Sequence, residues 1–120
     1  MPEIQIRGTW NDNFRHAHER MKVAVDSLVG ASPMAYRLGS ALLTMSNFLR
    51  EDEFPEELQE QYHDIIAMCS TASHAENESV FDATIRNMSP ETMQGIAERI
   101  VDLYDTIATD YWLPESLRTR

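Results

Sequence analysis

Apolar side chains recur every three or four residues along nearly the whole chain, and this spacing constrains its fold more than any other feature. Residues three and four apart lie on the same side of an α-helix, so each run forms an apolar stripe that must be buried. The clearest stripe belongs to a helix predicted from Ser89-Pro90 to about Trp112. It consists of Met93, Ile96, Ile100, Leu103, Ile107 and Tyr111.

Three further segments show the same spacing and predict helices over residues 11–29, 33–50 and 55–72, and a short amphipathic piece follows at 80–88. Ser32-Pro33 and Ser89-Pro90 each place a capping serine before a proline at the first helical position. Residues 3–7 alternate instead, as extended chain does, but one short strand cannot form a sheet alone. The sequence therefore predicts an all-α, compact antiparallel bundle of four to five helices with a short extended N-terminal arm.

The length of 120 residues predicts a single domain. We expect an arm at 1–10, one helical domain at 11–113 and a tail at 114–120. The single cysteine, Cys69, excludes a disulfide framework within the chain. No apolar run approaches the roughly 20 residues of a membrane span, so no membrane partner is predicted. The expected location is the cytoplasm.

The charge of the chain is strongly negative and unevenly distributed. Asp and Glu number 20 against 10 Lys and Arg, which gives a formal charge of −10. Residues 51–117 hold sixteen of the acids and only two cations, Arg86 and Arg99. Phosphate contacts need Lys and Arg, so direct nucleic-acid binding is not expected. The predicted partner is another protein with a basic surface. The acids predicted to meet it are Glu53, Glu56, Glu57, Glu60, Asp64, Glu98, Asp102 and Asp105.

The second predicted helix carries apolar residues on two sides. Between residues 31 and 49 the only charged residue is Arg37. Tyr36 and Leu43 lie opposite the main apolar stripe, and Gly39 beside them would allow another backbone to come close. Two interpretations remain open: a central helix buried on all sides, or the interface of a homodimer. The second predicts a dimer interface at Tyr36, Gly39 and Leu43.

An enzymatic alternative uses the same carboxylates. Their i, i+3, i+4 spacing resembles that of all-α nucleotide pyrophosphohydrolases, which hold Mg²⁺ between acids on facing helices. The resemblance implies a Mg²⁺-dependent hydrolase. On a helical wheel, however, the acids of the third and last helices lie about 150° and 180° from their apolar stripes, towards water. No group of lysines and arginines is placed to receive phosphates.

Other candidate chemistry has little support. His16 and His18 point about 200° apart on a helix, so they cannot share a metal ion there. His18 lies within an apolar stripe and is expected to be a core histidine. Glu60 and His63 have the spacing of di-iron bundles, but that site needs two copies of the motif. We therefore predict no catalytic residue, metal or cofactor. The expected function is that of an acidic adaptor or regulator that occludes a basic partner surface, with a homodimeric state expected.

Overall fold

The structure is a computed structural model that describes residues 12–73, 76 and 78–111. The predicted N-terminal arm at 1–10 and tail at 114–120 lie outside these residues, as do Trp10 and Trp112.

Five α-helices form the described part of the chain, and the predicted all-α bundle is confirmed. No strand occurs among the described residues. The helices are α1 (Asp12–Ser27), α2 (Met34–Phe48), α3 (Glu56–Met68), α4 (Val80–Ile85) and α5 (Pro90–Thr106). A 3-10 turn at Glu51–Glu53 connects α2 to α3, and a π-helical turn at Ile107–Tyr111 continues α5.

Serine side chains cap α4 and α5, whereas the predicted cap at Ser32 was wrong, because Pro33 itself precedes the first residue of α2 and no side chain caps that helix. Ser79 accepts a hydrogen bond from the backbone nitrogen of Asp82, and Ser89 accepts one from that of Thr92. These bonds satisfy backbone donors that a helix leaves without partners in its first turn. Pro90, the first residue of α5, loses nothing there because its missing N–H would have had no partner within the helix.

The core is built from the predicted apolar stripes. Helices α1 and α2 pack against each other most extensively, and α5 contacts α1, α2 and α3. Helix α4 packs against α2. The largest fully buried side chains are Met21, Leu38, Leu42, Met45, Phe54, Ile65, Cys69, Ile100, Leu103 and Ile107. Burying each large apolar side chain contributes roughly 1.5–3 kcal/mol, so these contacts hold the helices together.

Polar side chains fix the connections between helices. The guanidinium of Arg37 donates to the carbonyl oxygens of Leu28 and Ser32, each at 2.6 Å, and so joins the end of α1 to the start of α2. The hydroxyl of the buried Thr84 accepts hydrogen bonds from the backbone nitrogens of Thr71 and Ala72, both at 3.1 Å. The two hydrogen bonds of Thr84 join the segment that follows α3 to α4. These contacts therefore restrict the movement of α1 relative to α2 and of the end of α3 relative to α4.

Candidate functional site

The acids of α3 lie on its outward face. Leu58, Tyr62 and Ile65 form the buried side of this helix. The predicted partner-binding acids on the opposite side are all exposed: Glu56, Glu57, Glu60 and Asp64. Because apolar burial fixes the rotation of α3 about its axis, these carboxylates are held towards solvent.

The acids of α5 are arranged in the same way. Its buried side contains Ile96, Ile100 and Leu103. Three predicted acids on the other side are exposed: Glu98, Asp102 and Asp105. Sequence reasoning missed a fourth, the exposed Glu91 in the first turn. The signal was available, because seven residues separate Glu91 from Glu98 and this interval returns to the same helix face. Together the four residues form the α5 acidic stripe.

Glu53 differs from the other predicted acids. It belongs to the 3-10 turn rather than to α3, and only 5% of its surface is exposed. Its Oε1 accepts a hydrogen bond from the backbone nitrogen of Arg50 at 2.8 Å. Its Oε2 lies 2.7 Å from Nδ1 of His16 on α1. Glu53 therefore holds the turn against α1, and its carboxylate is not on the exposed acidic face.

The other acids of this turn also have partners within the chain. Glu51 Oε1 lies 3.5 Å from Nδ1 of His63, and Asp52 Oδ1 lies 3.1 Å from Nε of Arg50. The acid-rich segment 51–64 thus contains two structural groups. The carboxylates of the 3-10 turn bind neighbouring cations or histidines, whereas the acids of α3 point outward from the helix.

The described side chains do not converge on a metal site. Among the residues whose side chains the structure describes, 14–73, 76 and 78–109, no three His, Cys, Asp or Glu side chains come together where they could hold an ion. His16 contacts Glu53, whereas the His18 ring packs at 5.3 Å from the ring of Tyr104 on α5. The converging carboxylates that the Mg²⁺-dependent alternative requires are therefore missing from the described part of the chain.

Burial shifts three pKa values, and each affected group lies inward from the acidic faces. Desolvation lowers the pKa of His18, and nearby Lys22 adds to this while Glu19 opposes it. Desolvation raises the pKa of Tyr62 to about 12, with help from the charges of Glu53 and Glu51. Burial also raises the pKa of the Cys69 thiol to about 11. A buried protonated thiol is a poor nucleophile, so Cys69 has a structural role.

Two of the three residues of the predicted dimer interface on α2 are exposed, and the third is buried. Tyr36 and Leu43 are 69% and 36% exposed, so α2 is not buried on all sides. Gly39 is buried against α4, where an added Cβ would lie 2.6 Å from Oδ1 of Asp82. Gly39 thus allows α2 and α4 to approach within one chain. Tyr36 and Leu43 remain available to a partner.

Comparison of the chain with protein-family models, with curated proteins and with solved structures gave no match. The helices of the described residues are too short or too polar to span a membrane.

Proposed function

We propose that this chain is a small acidic regulator that binds another protein and covers its basic surface. The observation that carries the proposal is the exposure of carboxylates on two helices that pack together, α3 and α5. The proposed contact residues are Glu56, Glu57, Glu60 and Asp64 of α3 with Glu91, Glu98, Asp102 and Asp105 of α5. The sequence-predicted Glu53 is left out because it is buried.

Both the charge of this surface and the fixed positions of its helices support this function. A surface with a large excess of negative charge attracts a basic partner over distances of about 10 Å at moderate salt, which raises the association rate. The exposed Arg99 beside Glu98 reduces this excess by one charge. The carboxylates stand on helices whose apolar sides are buried, so little order is lost when a partner binds. Charge pairs at the edge of an interface mainly set the rate and the specificity of association. A basic surface covered in this way would be closed to competing ligands.

An exposed apolar side chain, that of Val101, lies beside the α5 acidic stripe. Val101 is 41% exposed and lies three residues after Glu98 and four before Asp105. Apolar contacts that exclude water near the centre of an interface commonly provide much of its binding energy. The stripe therefore offers a partner both charge and an apolar contact.

The test is capture of a partner by two variants with the same net charge. The first neutralises Glu60, Asp64, Asp102 and Asp105 as amides. The control neutralises four exposed acids elsewhere, Glu19, Asp26, Asp52 and Glu76. We expect the immobilised wild-type chain and the control to retain the same basic protein from the host extract at low salt, and the first variant to lose it. Equal retention by both variants, with unchanged salt dependence, would contradict the proposal.

A further inference from the structure

The exposed side of α2 has the spacing of a helix-pairing surface. Tyr36, Ser40, Leu43 and Asn47 follow one another at intervals of four, three and four residues. This is the interval of the apolar seam in a coiled coil, and it places all four on one side of the helix. Tyr36, Leu43 and Asn47 are exposed, and Ser40 is half-buried. These four residues are called the α2 seam.

The α2 seam is uncharged on a chain of net charge −10. The only charged residue within α2, Arg37, uses its guanidinium to bind the carbonyl oxygens of Leu28 and Ser32. The exposed Phe48, which lies off the seam, contacts the guanidinium of Arg20 at 4.9 Å from its ring centre. Asp82 borders the seam where its carboxylate lies against Gly39.

This charge distribution points to a second copy of the chain as the occupant. A basic partner gains most at the carboxylates of α3 and α5 and little at a neutral helix face. Two copies of an acidic chain repel each other, so they associate most easily where acids are fewest. The four residues of the α2 seam meet that condition because none of them is charged, and the Asp82 carboxylate lies at their border.

We infer that two copies pair through their α2 seams, antiparallel, about a two-fold axis close to Ser40. Tyr36 and Leu43 are equally distant from the point between residues 39 and 40, so the axis places Tyr36 of each copy against Leu43 of the other. An interface of this kind is self-complementary, with a large ring meeting a smaller side chain. The small Ser40 at the centre allows the helix axes to come close.

The expected dimer is weak and reversible. Helix α2 has 15 residues. At 1.5 Å per residue it is roughly 22 Å long. One seam of this length buries less than the roughly 1,200–2,000 Å² of a stable interface, so we expect a dissociation constant in the micromolar range. This inference is independent of the proposed function, because the α2 seam contains none of the acids assigned to partner binding.

Sedimentation velocity from about 5 to about 500 µM protein tests the dimer. We expect the mass to rise from one chain to two for the wild type. Tyr36→Glu and Leu43→Glu should each raise the dissociation constant at least about tenfold, with the melting temperature of dilute protein nearly unchanged. The matched control is Val101→Glu, which places a carboxylate at a similarly exposed residue of α5 and should leave dimerisation unaffected. A wild type that stays monomeric throughout, or a dimer that neither α2 substitution weakens, would overturn the inference.

Salt and cross-linking provide two further readouts. Added salt should strengthen the dimer by screening repulsion between acidic copies, whereas it should weaken binding of a basic partner. Failure of one proposal is therefore distinguishable from failure of the other.

Under mild oxidation Ser40→Cys should cross-link the two copies near the axis. Asn47→Cys should not, because an antiparallel pair separates these residues by roughly 22 Å. Equally ready cross-linking through Asn47→Cys would show parallel pairing and reject the proposed axis.

Discussion

Nδ1 of His16 lies 2.7 Å from Oε2 of Glu53, and this contact joins α1 to the turn between α2 and α3. The other carboxylate oxygen of Glu53 accepts the backbone N–H of Arg50. One buried acid thus satisfies a turn donor and holds the turn against a helix 37 residues earlier in the chain. A group with two such partners contributes to stability rather than to recognition.

Glu53→Ala should destabilise the fold by about 1–3 kcal/mol, because it leaves the Arg50 amide and the His16 ring without their acceptor. The control, Glu60→Ala on the exposed face of α3, should stay within about 0.5 kcal/mol of the wild type. Urea unfolding followed by circular dichroism measures both. Equal stabilities for the two variants would show that the Glu53 contacts contribute nothing.

Tyr62→Phe should lower stability by about 1 kcal/mol. The Tyr62 hydroxyl lies 3.1 Å from the carbonyl oxygens of Met45, in the last turn of α2, and Leu49, which follows that helix. Phenylalanine would keep the stacking on Phe54, whose ring centre lies 4.6 Å away, and would remove only the hydrogen bonds. Tyr36→Phe is the matched control, because that ring is largely exposed and its variant should unfold like the wild type.

His18 is half-buried rather than the core residue that its apolar stripe predicts, and this partial burial predicts a loss of stability in mild acid. Its pKa is lowered in the folded chain, so the unfolded chain binds a proton more readily. Stability is therefore greatest above the unfolded pKa of about 6.5 and falls as the pH decreases towards the lower folded value. His18→Phe, which retains an aromatic ring against Tyr104, should make this decline shallower.

The measurement for His18 is urea unfolding of both proteins at several pH values between about 8 and 5.5. Near pH 8 the histidine is neutral in both states, so the difference between wild type and variant there provides the reference. A difference that stays constant down to the lowest pH would show that His18 does not contribute to the acid sensitivity.

Gly39 and Asp82 should show energetic coupling. Gly39→Ala gains up to about 1 kcal/mol of helix propensity, but the new methyl group must displace the Asp82 carboxylate. In an Asp82→Ala background the gain should appear without that cost. The double-mutant cycle should therefore give a coupling of about 0.5–1 kcal/mol. Additive effects on the free energy of unfolding would mean that the Asp82 carboxylate moves away from the new methyl group at no energetic cost.

Magnesium provides a direct check of the enzymatic alternative. A true site stabilises the folded chain by mass action, whereas separate surface carboxylates respond only to ionic strength. We expect MgCl₂ and NaCl of equal ionic strength to shift the melting temperature equally. A larger shift with MgCl₂ that Asp64→Asn and Asp102→Asn abolish would identify a metal site and return the hydrolase to consideration.

The spacing of the apolar residues was sufficient to predict an all-α bundle and the buried side of α5. The α5 stripe from Ile96 to Ile107 is buried as predicted, and Ser89-Pro90 begins that helix. The spacing of the apolar residues and the burial of that side of each helix together determine the direction in which the exposed carboxylates of α3 and α5 point. The exposed acids of these two helices lie opposite the buried residues, because one apolar side determines the opposite side.

The role of Glu53 was not predictable in this way. The acids from Glu51 to Asp64 look like one charged run in the sequence, but α2 ends at Phe48 and the chain turns before α3 begins. The 3-10 turn brings Glu53 to His16, a contact between distant residues that no local pattern encodes. Gly39 illustrates the same limit, since a small residue permits a close approach without indicating whether the neighbour is α4 or another chain.

The Arg37 contacts also bear on the order in which the chain folds. They join residues only five and nine positions apart, within the most extensively packed pair of helices. Contacts between nearby residues cost little loop-closure entropy, so they form early. The α1–α2 hairpin is therefore the expected folding nucleus, and loss of the Arg37 guanidinium would slow refolding more than it would speed unfolding.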